Sequence, residues 1–237
     1  MDTAIRPPKH EAEEKKTFNQ KLADFLRKYR TILLAVLVAA VVAVVGVAVW
    51  TAVSNSRANA STARVERLTE DMSAWAAEQD AAKKAEAEKA LVAGLDEVVA
   101  TWSRSFAAGR ALAMRARLNE EKKDWAAAEK DWNEAAARFP KTFLAPVAIQ
   151  NAAAAAEERG AAEAAAAYYK RLVDNYSGKS VGIPHAYFSL GRLAEESKDY
   201  AAALGHYEKI VASYPDDDWT KLAKDRILFL KSRGLAK

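Results

Sequence analysis

One set of bulky and small positions recurs along this 237-residue chain at steps of 37, 37 and 38 residues. Each set has apolar or aromatic residues at offsets 0, 3 and 7 and Ser or Pro at offset 8, which is the spacing of one face of an α-helix. The four sets are Leu95, Val98, Trp102 and Ser103; Trp132, Ala135, Phe139 and Pro140; Tyr169, Leu172, Tyr176 and Ser177; and Tyr207, Ile210, Tyr214 and Pro215. A fixed period of this length predicts stacked helical pairs that bury their apolar faces only against one another.

Ahead of these sets, the 22 residues from Ile32 to Val53 carry no charge. As a helix this stretch measures roughly 33 Å, enough to cross a hydrocarbon core of about 30 Å. Tyr29 and Trp50 lie near its ends, where amphipathic rings favour the membrane–water boundary. The pattern predicts a transmembrane signal anchor over residues 31–53. The alternatives are a buried core helix and a signal peptide cleaved near residues 58–60.

The charges that flank this stretch predict its orientation. Five basic residues precede it and three follow it, each group within about 15 positions. Because cytoplasmic loops carry the excess of Lys and Arg, we expect a cytoplasmic N-terminus and an exported C-terminal part. The predicted organisation is a basic cytoplasmic tail with a short amphipathic helix over residues 1–30, the anchor, and a repeat domain over residues 54–237. The apolar stripe between Phe18 and Tyr29 also fits an inward extension of the spanning helix.

Within the predicted repeat domain, the pattern places helices and turns. A lead helix carries Val65, Leu68, Met72 and Trp75 on one face. Turns between paired helices fall at residues 123–125, 160–162 and 198–200. Small residues recur where paired helices must touch, namely Ala116, Ala153 and Gly191 in first helices and Ala128, Ala165 and Ala203 in second helices. Residues 216–218 cap a last helix whose expected buried side is Trp219, Leu222, Ile227 and Leu230.

The net charge of +4 does not predict a nucleic-acid partner. Of 36 basic and 32 acidic residues, eight and five lie in residues 1–30, which leaves 28 and 27 for the rest of the chain. The repeat domain is therefore almost neutral, whereas a nucleic-acid surface needs clustered positive charge. The absence of cysteine excludes disulfides, thiol catalysis, Cys-ligated metals and a lipid anchor on Cys.

The polar residues predict no enzyme, cofactor, metal site or small-molecule substrate. Pairs of Glu at 120–121, 157–158 and 195–196 recur at the repeat step, which indicates exposed scaffold positions rather than acid–base chemistry. Residues 216–218 are interpreted as a helix cap rather than a cation site. His206 has no partner at a spacing that suggests metal binding.

The repeat residues resemble the tetratricopeptide repeat. The best match consists of Tyr187, Leu190, Gly191, Ala194, Tyr200, Ala203, Tyr207 and Pro215. The resemblance implies an all-α fold, in which a transmembrane helix precedes an α-solenoid of three to four helical pairs with a C-terminal capping helix. It also implies a concave protein-binding face lined by first helices. By register this face contains Arg110, Arg117, Gln150, Asn151, His185, Phe188 and Arg192.

An anchor joined directly to such repeats resembles the YfgM-type ancillary subunits of the bacterial Sec translocon. This resemblance implies a single-pass inner-membrane protein with a periplasmic repeat domain. Its partners would be translocon subunits, a membrane-anchored chaperone or unfolded exported polypeptides. The alternative within the same cell envelope is an adaptor for outer-membrane assembly or division-linked cell-wall coordination. An enzyme that uses the Glu pairs or His185 is the alternative from another class.

Overall fold

The computed structural model describes residues 17–236, which form nine α-helices and contain no strand. The helices are α1 (Phe18–Ala77), α2 (Ala81–Thr101), α3 (Phe106–Glu121), α4 (Trp125–Arg138), α5 (Leu144–Glu158), α6 (Ala162–Tyr176), α7 (Ile183–Glu196), α8 (Tyr200–Ser213) and α9 (Asp218–Ser232). Residues 1–16 of the predicted cytoplasmic segment lie outside the described residues. The all-helical fold and its helical pairs are as predicted.

The chain divides into two compact units, with the boundary between Arg57 and Ala58. In the first unit, α1 is long and apolar enough to cross a membrane, and none of its most apolar window is buried. That exposure contradicts a soluble core helix and makes α1 a candidate membrane span. The helix runs unbroken from Phe18, so the stripe up to Tyr29 is an extension of the same helix.

The second unit is a stack of helical pairs. Its lead pair consists of the last turns of α1 together with α2, and it is followed by α3 with α4, α5 with α6, and α7 with α8. In the lead pair, the predicted apolar face of α1 is confirmed, because Val65, Leu68 and Trp75 are buried. Leu68 packs directly against Gly94 of α2. The buried side chains from α1 to α7 form one continuous core, and those of α8 and α9 form a second cluster.

The three predicted turns between paired helices are confirmed and share one geometry. Lys123, Gly160 and Lys198 have φ angles of 58°, 79° and 66°, in the left-handed region. The next N–H in each turn donates to a carbonyl five residues earlier, at 2.8 Å: Asp124 to Asn119, Ala161 to Ala156, and Asp199 to Ala194. This is the Schellman arrangement, which satisfies the last carbonyls of the first helix. The short turn then brings the second helix back against the first.

The recurrent aromatic residues lie at the centre of each pair. Trp132, Tyr169 and Tyr207 are buried, and so are the small residues Ala153 and Gly191. A Cβ atom on Gly191 would lie 2.5 Å from Cε1 of Tyr207, a distance that real contacts do not reach. The small residue is therefore required by the ring that packs on it, as the sequence predicted.

The capping helix α9 differs from prediction at one position. Asp217 is its N-cap, and the carboxylate accepts a hydrogen bond from the N–H of Trp219 at 3.0 Å. Leu230 is buried, as predicted, but Leu222 is 47% exposed, so its predicted burial is wrong. The buried side of α9 passes through Ala223, and adjacent residues on a helix point about 100° apart.

Candidate protein-binding groove

An open groove of about 450 Å³ lies between α1, α3 and the start of α5. Its lining consists of Thr69, Phe106, Arg110, Ala113, Met114, Arg117, Phe143 and Leu144. Phe106, Arg110, Ala113 and Arg117 of α3 follow one another at steps of four, three and four, so one face of a single helix supplies most of the floor. Thr69 of α1 reaches Met114, with its hydroxyl 3.8 Å from the sulfur atom, and closes one side.

Two phenylalanine rings make this groove apolar and accessible. Phe106 is 40% exposed and Phe143 is 74% exposed, and their ring centroids lie 5.4 Å apart. An aromatic pair left open to water in a concave surface is typical of sites that bury side chains of a partner.

The arginines give the groove positive charge. Arg110 donates a hydrogen bond to Glu66 of α1, so its charge is partly neutralised. Arg117 is exposed, and among the described residues no acidic side chain lies within ion-pair distance of it. Within residues 17–236, the groove therefore combines apolar contact area with one cation, Arg117, that no acidic side chain neutralises.

The other end of the predicted concave face is covered by the capping helix. The His185 ring centroid lies 4.7 Å from that of Trp219, and the Phe188 centroid lies 5.1 Å from it. Phe188 also packs on Tyr207 and is half-buried. Arg192 is bound to two carboxylates of α5 and α7. This end presents less free aromatic surface than the groove beside α1.

The seven predicted residues are thus not gathered in one site. Arg110 and Arg117 line the groove beside α1, and Gln150 and Asn151 are half-buried on α5 without lining it. His185, Phe188 and Arg192 lie on α7, against α9 and α5.

His185 is shielded from solvent on one side. Burial lowers the pKa of His185, and the nearby charge of Glu157 opposes that shift without cancelling it. His185 Nδ1 and Glu157 Oε1 are buried without hydrogen-bond partners in the described part of the chain. Residues 17–236 contain no group of three His, Cys, Asp or Glu side chains placed to hold a metal ion.

The sequence analysis missed the aromatic pair, although the repeat step contained the signal. Phe106, Phe143 and Val181 follow one another at 37 and 38 residues, the steps of the aromatic sets. All three are exposed, and Val181 is 98% exposed. Phe106 and Phe143 also line the groove, and neighbouring apolar residues exposed in a groove are a marker of a binding surface, whereas Val181 lies outside it.

The prediction for the Glu pairs is wrong for the first member of each. Glu120 and Glu195 are half-buried: Nε1 of Trp132 donates to Glu120 at 2.6 Å, and the hydroxyl of Tyr207 donates to Glu195 at 2.7 Å. Burial alone would raise the pKa of Glu195, but its bonds with Arg226 and Tyr207 outweigh burial and lower it. These carboxylates therefore link the two helices of a pair.

Comparison with known proteins supports the same repeat type. Residues 185–217 match the family described as Tetratricopeptide repeat. A "TPR repeat-containing protein" of Treponema pallidum (strain Nichols) is 29% identical over 148 residues, which are 62% of this chain and 61% of that protein. The aligned part of the chain thus spans less than two thirds of that relative. Together with the helical pairs, these likenesses indicate a tetratricopeptide-repeat scaffold for protein–protein interaction.

Proposed function

We propose that the chain is a membrane-anchored protein-binding scaffold of the bacterial cell envelope. Its spanning helix holds it in the inner membrane with the N-terminus in the cytoplasm, and its repeat domain lies in the periplasm. There it assists translocon-associated chaperoning of exported polypeptides. The groove beside α1 binds extended segments in which apolar side chains alternate with acidic ones.

The open pair of rings at Phe106 and Phe143 is the observation that carries the binding part of this proposal. The rings offer contact area to apolar side chains, and Arg117 favours a carboxylate beside them. The anchor part of the proposal is supported by α1, which is long and apolar enough to cross a membrane.

A peptide-binding experiment tests the groove. The full chain is placed in lipid nanodiscs and titrated with a labelled synthetic peptide that carries two apolar side chains flanked by Asp. We expect Phe143→Ser combined with Arg117→Glu to weaken binding at least about tenfold, which corresponds to a loss of about 1.4 kcal/mol. Val181→Ser removes a more exposed apolar residue of the same register outside the groove and serves as the control for Phe143→Ser. Equal affinity of the two variants would contradict the assignment.

Crosslinking in cells tests the cellular role. After brief crosslinking, the full-length protein is purified in mild detergent and its partners are identified. Translocon subunits and a membrane-anchored chaperone are the expected partners, lost in the Phe143→Ser variant and kept in Val181→Ser. Recovery of outer-membrane assembly or division proteins without the translocon would instead support the alternative adaptor role. An export-dependent reporter fused to the C-terminal end tests the orientation.

A further inference from the structure

A second groove, separate from the concave one, lies between α8 and α9 and has a volume of about 420 Å³. Its lining consists of Glu208, Val211, Ala212, Lys224, Ile227, Leu228 and Lys231. The floor is apolar, and the charged groups lie along its edges. Leu228 is 69% exposed within it and lies beside Val211 and Ile227, so the floor is a contiguous apolar surface open to water.

The repeat register indicates which type of secondary structure fits this groove. Ala116, Ala153, Gly191 and Leu228 follow one another at steps of 37, 38 and 37. In α7 this position faces the second helix of the pair, whose ring approaches Gly191 closely. Among the described residues no second helix pairs with α9, so the groove is the place that a helix occupies in the preceding pairs.

The same register shows that the occupant is not another repeat helix. Leu228 replaces the small residue that close approach requires, so a helix seated here must lie further out and pack around the leucine. Ile149 and Ala156 of α5 are buried, whereas their equivalents 75 residues later are Lys224 and Lys231. A continued stack would bury those two charges at a cost in free energy.

The charged residues of the groove indicate which charge its occupant should carry. Lys231 is paired with Glu208 at 3.1 Å, but Lys224 has no acidic partner within the described residues. A free ammonium group beside an apolar floor favours a partner that carries a carboxylate next to its apolar face. A second copy of the chain on a two-fold axis would instead bring the same cationic edge towards itself, which is unfavourable.

We propose that the α8–α9 groove docks an amphipathic helix of another polypeptide, with its apolar face around Leu228 and an acidic residue beside Lys224. This is a helix-in-groove interaction, distinct from the binding of extended segments in the concave groove. The chain thereby has two surfaces for two classes of partner.

The test uses the full chain in zwitterionic nanodiscs and a labelled synthetic helix with leucines at every third or fourth position and Glu on its flanks. We expect Leu228→Glu to weaken binding of this probe at least about tenfold, because it places a carboxylate in the apolar floor. Lys224→Glu should weaken it several-fold, with a larger effect at low salt. Leu222→Glu changes an exposed leucine of the same helix outside the groove and should leave the affinity unchanged.

Other results would overturn the proposal. Equal affinities for the Leu228→Glu and Leu222→Glu variants would place the probe elsewhere, and equal binding of a probe with Lys in place of Glu would remove the charge argument. A concentration-dependent dimer that Leu228→Glu abolishes would assign the groove to a second copy. Binding to anionic vesicles that depends on Leu228 would assign it to a membrane surface. Circular dichroism of each variant checks that the helices are intact. Lys224→Glu changes an exposed position and therefore tests the groove a second time if Leu228→Glu disturbs the fold.

Discussion

Removing the two carboxylates of a Glu pair one at a time should show which of them stabilises the fold and which lies on the surface without a structural role. We compare Glu195→Ala with Glu196→Ala, two adjacent substitutions of the same type. The side chain of Glu195 is 11% exposed and accepts from the buried Tyr207 hydroxyl, whereas Glu196 is 56% exposed and pairs with Arg192 on the surface. The two variants lose the same group in different surroundings.

The expected magnitudes follow from those surroundings. An unsatisfied buried hydroxyl costs about 1–3 kcal/mol, and the exposed partner Arg226 adds less than about 1 kcal/mol. We therefore expect Glu195→Ala to lower the free energy of unfolding by about 2–3 kcal/mol. Loss of the surface pair in Glu196→Ala should cost about 0.3–0.5 kcal/mol. For a unit of this size these values correspond to drops in Tm of roughly 4–12 °C and roughly 0.6–2 °C.

Thermal and urea unfolding of residues 58–237, which form one compact unit, measure both effects. A double-mutant cycle with Tyr207→Phe isolates the hydrogen bond, because Glu195→Ala in that background no longer leaves a hydroxyl unpaired. The cost of Glu195→Ala should then fall by about 1 kcal/mol. If the two Glu variants differ by less than about 0.5 kcal/mol, or if the cycle shows no coupling, the carboxylate does not brace the helical pair.

Three further outcomes are expected. Lys198→Gly should raise stability by about 0.5–1 kcal/mol in urea unfolding, because a left-handed residue with a Cβ is strained. Gly191→Ala should cost about 1–3 kcal/mol, since its new methyl group meets the ring of the paired helix, whereas Gly205→Ala, with nothing within 4 Å, should be neutral or stabilising by up to about 1 kcal/mol. Burial lowers the pKa of His185 and His206 below the ordinary 6.5, so the stability that these neutral side chains contribute is present above that value and is lost as the pH falls. Tm should therefore be lower at about pH 5.5 than at about pH 7.5. This drop in Tm should be smaller in the His185→Gln and His206→Gln variants.

The fold could be predicted from the sequence because the residues that recur at the repeat step are those that pack between neighbouring helices. Gly191 is small because a ring lies on it, and Lys198 has the left-handed turn conformation that recurs at the same place in each pair. Whether a side chain at the edge of the stack is exposed depends on its neighbours in three dimensions, and the repeat period does not specify those neighbours. Glu195 was therefore assigned to the surface although a tyrosine of the next helix binds it, and Leu222 was assigned to the core although its face of α9 is open.

The same distinction shows why Phe143 and Phe188 should behave differently. Phe188 is half-buried between two aromatic rings, so Phe188→Ala should cost about 2 kcal/mol and weaken peptide binding chiefly by destabilising the fold. Phe143 is mostly exposed, so Phe143→Ser should change the free energy of unfolding by no more than about 0.5 kcal/mol while it weakens peptide binding. Urea unfolding and peptide titration on the same samples measure both quantities. If Phe143→Ser kept full affinity while Phe188→Ala lost affinity without losing stability, the binding surface would lie at the α9 end of the concave face rather than beside α1.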